Sequence, residues 1–186
     1  MTRAKSKPDV AVLFLRLRKP VYLSVLYLCL IPCALGQADP VKAQALFREG
    51  MRLKETNLEQ AQDLLKKATD LEPSNAEYHF ELANLYALRY DHLKQSNLSA
   101  GAEEMLRFCA YELEHTLTLK PAFIQAQYNL GVVYKNLEEY EKAREAFRKV
   151  LELDPKQVNA QLQIGSVYEA QGFFEEAREA YEDARE

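Results

Sequence analysis

The sequence predicts an all-α fold, a right-handed α-solenoid built from four antiparallel helix hairpins. Pro121 and Pro155 stand 34 residues apart, and each follows a similar run with leucine at alternate positions. A related run precedes Pro73. Proline cannot continue a helix, and a fixed period in the thirties with helical patterning is typical of helical repeats. The three prolines are therefore expected to separate stacked hairpins.

Composition and charge agree with a helical body and argue against two classes of protein. The chain has only 6 Gly and 7 Pro among 186 residues, which disfavours an all-β or collagen-like fold. Residues 1–36 contain six Lys/Arg and one acidic residue, which leaves 18 basic and 27 acidic residues in the remainder. A body this acidic argues against nucleic-acid binding, because phosphate contacts need clustered Lys and Arg.

Residues 1–38 have the layout of a signal peptide or an N-terminal membrane anchor. Six basic residues precede an apolar run from Val21 to Leu35, and small residues follow, which is typical of a secretory signal. Cleavage is expected after Gly36 or Ala38. The run is shorter than the roughly 20 residues of a spanning helix. An uncleaved anchor through residues 21–35, or a lipid on Cys33, is the alternative.

Either way, the body over residues 39–186 is expected to be exported. It would be periplasmic or secreted if the signal is cleaved. Otherwise it would be membrane-anchored outside the cytoplasm, since the basic flank stays on the cytoplasmic side.

The third hairpin, residues 124–157, has the clearest repeat pattern. Its key positions combine small, aromatic and turn residues, namely Leu130, Gly131, Tyr134, Ala143, Phe147 and Pro155. At these spacings the sequence strongly resembles the tetratricopeptide repeat family. Gly131 and Ala143 are expected where the two helices approach closely. Tyr134 and Phe147 are expected to fill the space between neighbouring hairpins.

The same pattern recurs in hairpins at residues 42–75, 76–123 and 158–186. Its matching positions are Gly50, Ala61, Tyr86, Gly165, Tyr168 and Ala177. The second hairpin is longer than the others by about 14 residues, which fall between its helices around residues 90–102. The segment 91–97 is polar and loop-like. A longer turn or extended helices would explain the surplus, and the alternative is a contact loop specific to this protein.

Neither a catalytic site nor a metal site is expected. The three histidines, His79, His92 and His115, have no spacing suited to zinc, and no phosphate loop or nucleophile elbow occurs. Cys109 takes the place of Ala61 in the repeat, so a small buried residue is expected there. The sequence therefore predicts a protein that is not an enzyme and needs no cofactor.

The resemblance implies where a partner would bind. Stacked hairpins leave a concave groove lined by the first helix of each hairpin. Carried over from the family, the groove positions are Phe47, Met51, Phe80, Asn84, Tyr128, Asn129, Val132, Lys135, Leu162, Gln163 and Ser166. Phe80 and Tyr128 would hold an apolar anchor, whereas Asn84 and Asn129 would bond a peptide backbone.

One subclass of the family is not expected here. Repeats that clamp the C-terminal carboxylate of chaperones have basic residues where this sequence has Phe80, Asn159 and Gln163. All three are neutral, so the terminal-carboxylate clamp is incomplete.

The main functional hypothesis is an exported interaction module or scaffold that binds a protein or peptide in the groove. The N-terminal regulatory part of a longer enzyme, such as a transferase, and a membrane-anchored assembly factor are the alternatives. Ala180, Tyr181 and Ala184 are expected to face outward from the last helix, where a further helix would pack. The alternatives are a fragment of a longer repeat array, a self-association surface, or a last helix that frays.

Overall fold

The computed structural model describes residues 39–96, 98 and 101–185, and every regular element in this part is an α-helix. The helices are α1 Pro40–Leu53, α2 Leu58–Leu71, α3 Ala76–Gln95, α4 Ala102–Leu119, α5 Ile124–Asn136, α6 Tyr140–Leu153, α7 Val158–Ala170 and α8 Phe174–Asp183. The predicted signal or anchor in residues 1–38 lies outside the described residues.

The eight described helices form four hairpins in a row, α1–α2, α3–α4, α5–α6 and α7–α8. Each helix packs most extensively on its hairpin partner, and each second helix packs on the first helix of the next hairpin. A continuous core runs from Ala61 in α2 to Ala180 in α8. Because contacts are made between neighbours along the chain, the arrangement is a helical solenoid, as the sequence predicts.

Short polar and proline signals delimit the helices. Pro73, Pro121 and Pro155 each lie two residues beyond the end of a second helix. The side chains of Asp39 and Asn57 accept hydrogen bonds from backbone N–H groups in the first turns of α1 and α2, at 3.0 and 3.1 Å. These caps satisfy donors that a helix start would otherwise leave unpaired.

The second hairpin is longer because its helices are longer. Helix α3 has 20 residues and α4 has 18, whereas α1, α2 and α6 have 14. Residues 91–95, which the sequence suggested were loop, are the last residues of α3. The loop-like interpretation was therefore wrong for residues 91–95, whereas extended helices, one of the explanations offered for the surplus, are what the structure shows. At 1.5 Å per residue, α3 is about 30 Å long.

Two glycines allow the helices of a hairpin to touch. A Cβ atom on Gly131 would lie 2.7 Å from the ring of Phe147, and one on Gly165 would lie 2.5 Å from the ring of Tyr181. The predicted close approach at Gly131 is therefore confirmed. Phe147 thus packs against the first helix of its own hairpin. The contact of Tyr181 with α7 corrects the expectation that Tyr181 faces outward.

Other side chains do connect neighbouring hairpins. The hydroxyl of Tyr134 in α5 bonds to Glu114 in α4, which confirms the expected role of Tyr134. Ala180 is only 5 % exposed, so it belongs to the core, against the expectation for the last helix. The exposed apolar side chains near α8 are Phe173 and Phe174 instead.

Candidate functional site

The predicted groove residues lie on α1, α3, α5 and α7, and we call the surface they form the first-helix face. Its centre is an amide pair, in which Nδ2 of Asn129 donates to Oδ1 of Asn84 across 3.3 Å. The pair joins α5 to α3. An amide has two N–H donors and one oxygen with two lone pairs. Asn129 thus retains one N–H, and its Oδ1 atom bonds to no described residue.

A second polar link on this face joins α5 to α7. Nζ of Lys135 donates to Oε1 of Gln163 at 2.6 Å and approaches Oγ of Ser166 at 3.4 Å. Burial lowers the pKa of Lys135, because desolvation disfavours the charged form. Three predicted groove residues, Lys135, Gln163 and Ser166, therefore form one cluster.

A third link joins the residue that follows α1, Lys54, to α3, and the sequence did not single this residue out. Nζ of Lys54 lies 3.2 Å from Oε2 of Glu81, and both side chains are largely buried, at 26 % and 21 % exposure. Lys54 stands three residues after Met51. Residues at that spacing share a helix face, so this signal would have identified Lys54.

The aromatic residues predicted to line the groove are partly covered by the protein itself. The ring centroids of Phe80 and Phe123 are 4.6 Å apart. The ring of Tyr128 meets the ring of Phe147 edge-on, with centroids 5.5 Å apart. Phe47 stacks on an aromatic ring of α3 at 4.5 Å. Each of these three side chains is half-buried, so it helps to hold the solenoid together and exposes only part of its surface.

The remaining predicted positions vary in exposure. Met51 and Val132 are half-buried against the core, whereas Leu162 is 40 % exposed. The first-helix face is therefore a line of linked polar side chains, bordered by partly exposed apolar ones.

The histidines and the cysteine lie elsewhere. His92 is exposed, while His79 and His115 pack with ring centroids 4.1 Å apart between α3 and α4. Cys109 is 2 % exposed, and burial raises its thiol pKa to about 12. The prediction of a small buried residue at Cys109 is confirmed. Across residues 39–96, 98 and 101–185, no three His, Cys, Asp or Glu residues are grouped so as to hold a metal ion.

In the part of the chain that the structure describes, no helix has both the length and the apolar character needed to cross a membrane.

Solved structures with the same fold include two of MamA. One, "Crystal structure of MamA", is 25 % identical, with a TM-score of 0.65 over 79 % of this chain and 78 % of that one. A second, of MamA MSR-1, is 19 % identical, with a TM-score of 0.65 over 77 % and 75 % of the two chains.

A third similar structure is the first tetratricopeptide domain of Spaghetti (RPAP3), solved with a bound HSP90 peptide. It is 20 % identical, with a TM-score of 0.60 over 73 % of this chain and 98 % of that domain. At this identity the likeness shows a shared fold. A comparison with curated proteins found no match.

Sequence models of the tetratricopeptide repeat match three stretches of this protein. They cover residues 52–94, 124–157 and 158–184, together more than half of the chain. The hairpin stack and the small residues at its close approaches agree with these matches. The chain belongs to the tetratricopeptide repeat family.

Proposed function

We propose that this protein, an interaction module by its fold, holds an extended segment of a partner protein along the first-helix face, outside the cytoplasm. The observation that carries the proposal is the Asn84–Asn129 pair, whose bond of 3.3 Å spans two hairpins. A domain of the same fold has been solved with a peptide bound, which supports a peptide as the occupant.

The amide pair suits a peptide backbone for a chemical reason. An extended backbone presents N–H and C=O groups at regular intervals, and each needs a partner when it leaves water. Asn129 offers an acceptor oxygen and a donor N–H. Its bond to Asn84 holds the amide in one orientation, so little side-chain entropy is lost on binding. Phe80 and Tyr128 would contact an apolar side chain of the same segment.

A peptide display experiment tests this placement. Random peptides are selected on the full chain, and their affinities are measured for the variant Asn84→Ala/Asn129→Ala. Losing these bonds should weaken binding about tenfold or more. The control variant, Lys67→Ala/Arg148→Ala, changes exposed side chains of the second helices α2 and α6 and should bind normally.

Two results would refute the groove assignment. One is a set of peptides that bind both variants and the wild type equally. The other is a failure of the folded chain to select any peptide.

Export is the second part of the proposal, and it is supported by the basic segment and the apolar run from Val21 to Leu35. Cell fractionation with sequencing of the mature N-terminus tests it. A cleaved chain should begin near Gln37 or Asp39 in the exported fraction, whereas an anchored chain should remain intact in the membrane pellet with its body open to external protease. An intact chain in the cytosol would refute export.

A further inference from the structure

We propose that the first-helix face takes an acidic side chain of the partner segment at Lys135, so that the partner carries Asp or Glu at one position. This inference rests on the groove proposed above and specifies the chemistry of what the groove holds.

Two lysines on the first-helix face differ in the charge of their hydrogen-bond partners. Lys54 has a carboxylate partner, Glu81, at 3.2 Å. Lys135 lies between α5 and α7 with two neutral partners, Gln163 at 2.6 Å and Ser166 at 3.4 Å. Among the described residues, no carboxylate lies within ion-pair distance of Lys135, so its charge is uncompensated.

The ammonium group of Lys135 has one N–H donor without a partner among the described residues. An ammonium has three N–H donors, and the bonds to Gln163 and Ser166 occupy two of them. The third remains for a ligand. The side chain reaches across to α7 rather than back to the terminal carbonyl groups of its own helix, where a lysine in the last turn would otherwise be stabilised.

Partial burial of the Lys135 ammonium group costs free energy. A partly buried cation with neutral partners has lost part of its hydration without gaining an ion pair. A carboxylate arriving with the partner would form a charge-assisted hydrogen bond in a partly desolvated site, where such bonds are stronger than on an open surface.

A side-chain carboxylate suits this site better than a chain terminus. The residues at the basic positions of a terminal-carboxylate clamp, Phe80, Asn159 and Gln163, are neutral. A single ammonium with one free donor matches the single hydrogen bond that an Asp or Glu would make within a continuous segment.

The test uses random peptides displayed without a free C-terminus, selected on the wild-type chain and on Lys135→Gln. Peptides from the wild type should be enriched in Asp or Glu at one position, and those from Lys135→Gln should not. Replacing that acid by its amide should weaken binding to the wild type about 10- to 100-fold and leave binding to Lys135→Gln unchanged.

Two further variants separate the outcomes. Lys67→Gln removes an exposed charge on α2 and should retain the acidic preference, whereas Lys135→Arg should restore it. Peptides that need Asn84 and Asn129 but show no acidic position would overturn this inference and leave the groove intact. A preference that persists in Lys135→Gln, or that requires a free C-terminus, would also overturn it. Failure to select any peptide would instead remove the groove proposal itself.

Discussion

His79 and Glu112 form a buried pair between α3 and α4, with Nδ1 of the imidazole 2.6 Å from Oε2 of the carboxylate. Nε2 of the same ring lies 3.0 Å from the carbonyl oxygen of Pro73. A carbonyl oxygen only accepts, so Nε2 carries a proton. A carboxylate oxygen also accepts, so a proton on each ring nitrogen lets the imidazolium form bond to both groups. Burial opposes this charge, but the bonds to Glu112 and Pro73 raise the pKa of His79 above its ordinary 6.5.

The first prediction concerns the pH dependence of stability. Because the pKa of His79 is higher in the folded protein, its stabilising effect is complete below about pH 6.5 and is lost as the pH rises through the folded pKa. Urea denaturation should therefore show the free energy of unfolding falling as the pH rises above about 6.5. The variant His79→Gln should flatten this slope, while His92→Gln, at an exposed site, should preserve it. An unchanged slope in His79→Gln would contradict the assignment.

The second prediction concerns the close approach at Gly131. Alanine is favoured over glycine within a helix by about 1 kcal/mol, yet its Cβ would lie 2.7 Å from the Phe147 ring. Overpacking of this kind costs about 1–3 kcal/mol, so Gly131→Ala should lower the midpoint of urea unfolding. Adding Phe147→Leu should remove the clash. The double variant should therefore lose less free energy of unfolding than the sum of the losses in the two single variants. Additive losses would show that the cost of Gly131→Ala does not come from the Phe147 ring.

The third prediction concerns the turn between α5 and α6. Glu138 has φ +60°, whereas the matching residue of the last hairpin is Gly172, with φ +80°. A side chain in this left-handed region costs about 1–2 kcal/mol. Glu138→Gly should therefore raise the free energy of unfolding, by about 0.5–1 kcal/mol after the entropy cost of glycine is counted. Glu138→Ala keeps the Cβ atom and should not. Equal gains from both variants would indicate a charge effect instead.

Beside that turn, Lys142 in α6 forms an ion pair with Glu139, at 2.6 Å.

The fourth prediction compares two arginines that occupy the same place in successive hairpins. Arg144 is 7 % exposed, bonds to Gln171 and lies over the ring of Tyr168 at 4.7 Å. It thereby links α6 to the next hairpin. Arg178, 34 residues later, is exposed. Arg144→Ala should destabilise the fold by about 2 kcal/mol through the lost hydrogen bonds and the lost cation–π contact.

The matched variant Arg178→Ala should change thermal or urea unfolding by no more than about 0.5 kcal/mol. Similar losses in both variants would refute the role of Arg144 as a link between hairpins.

Local chemistry explains which parts of this structure were predictable. Pro121 and Pro155 delimit hairpins because proline stops a helix wherever it occurs. Gly131 marks a close approach because only a residue without a side chain fits there. Both effects act over a few residues, so the hairpin stack was predictable from the sequence.

Contacts between distant residues were not predictable in the same way. The pairing of Phe80 with Phe123 brings together residues 43 positions apart, and nothing near either residue indicates its partner. The candidate site shows the same limit. The family resemblance placed Lys135 and Gln163 on one face, but their contact depends on how two hairpins stack. The sequence left open whether a longer turn or extended helices explain the long second hairpin, because the last residues of α3 are mostly polar and exposed.

The long second hairpin has a consequence for how the protein opens and closes. Among the described helices, α3 and α4 share the largest interface, and in a linear array each repeat is supported only by those beside it. Local unfolding can therefore spread through the shorter hairpins while the second hairpin stays folded. Backbone amide hydrogens at the centres of α3 and α4 should exchange with deuterated solvent last. The hairpin that departs most from the repeat length would then be the nucleus from which the other repeats re-form.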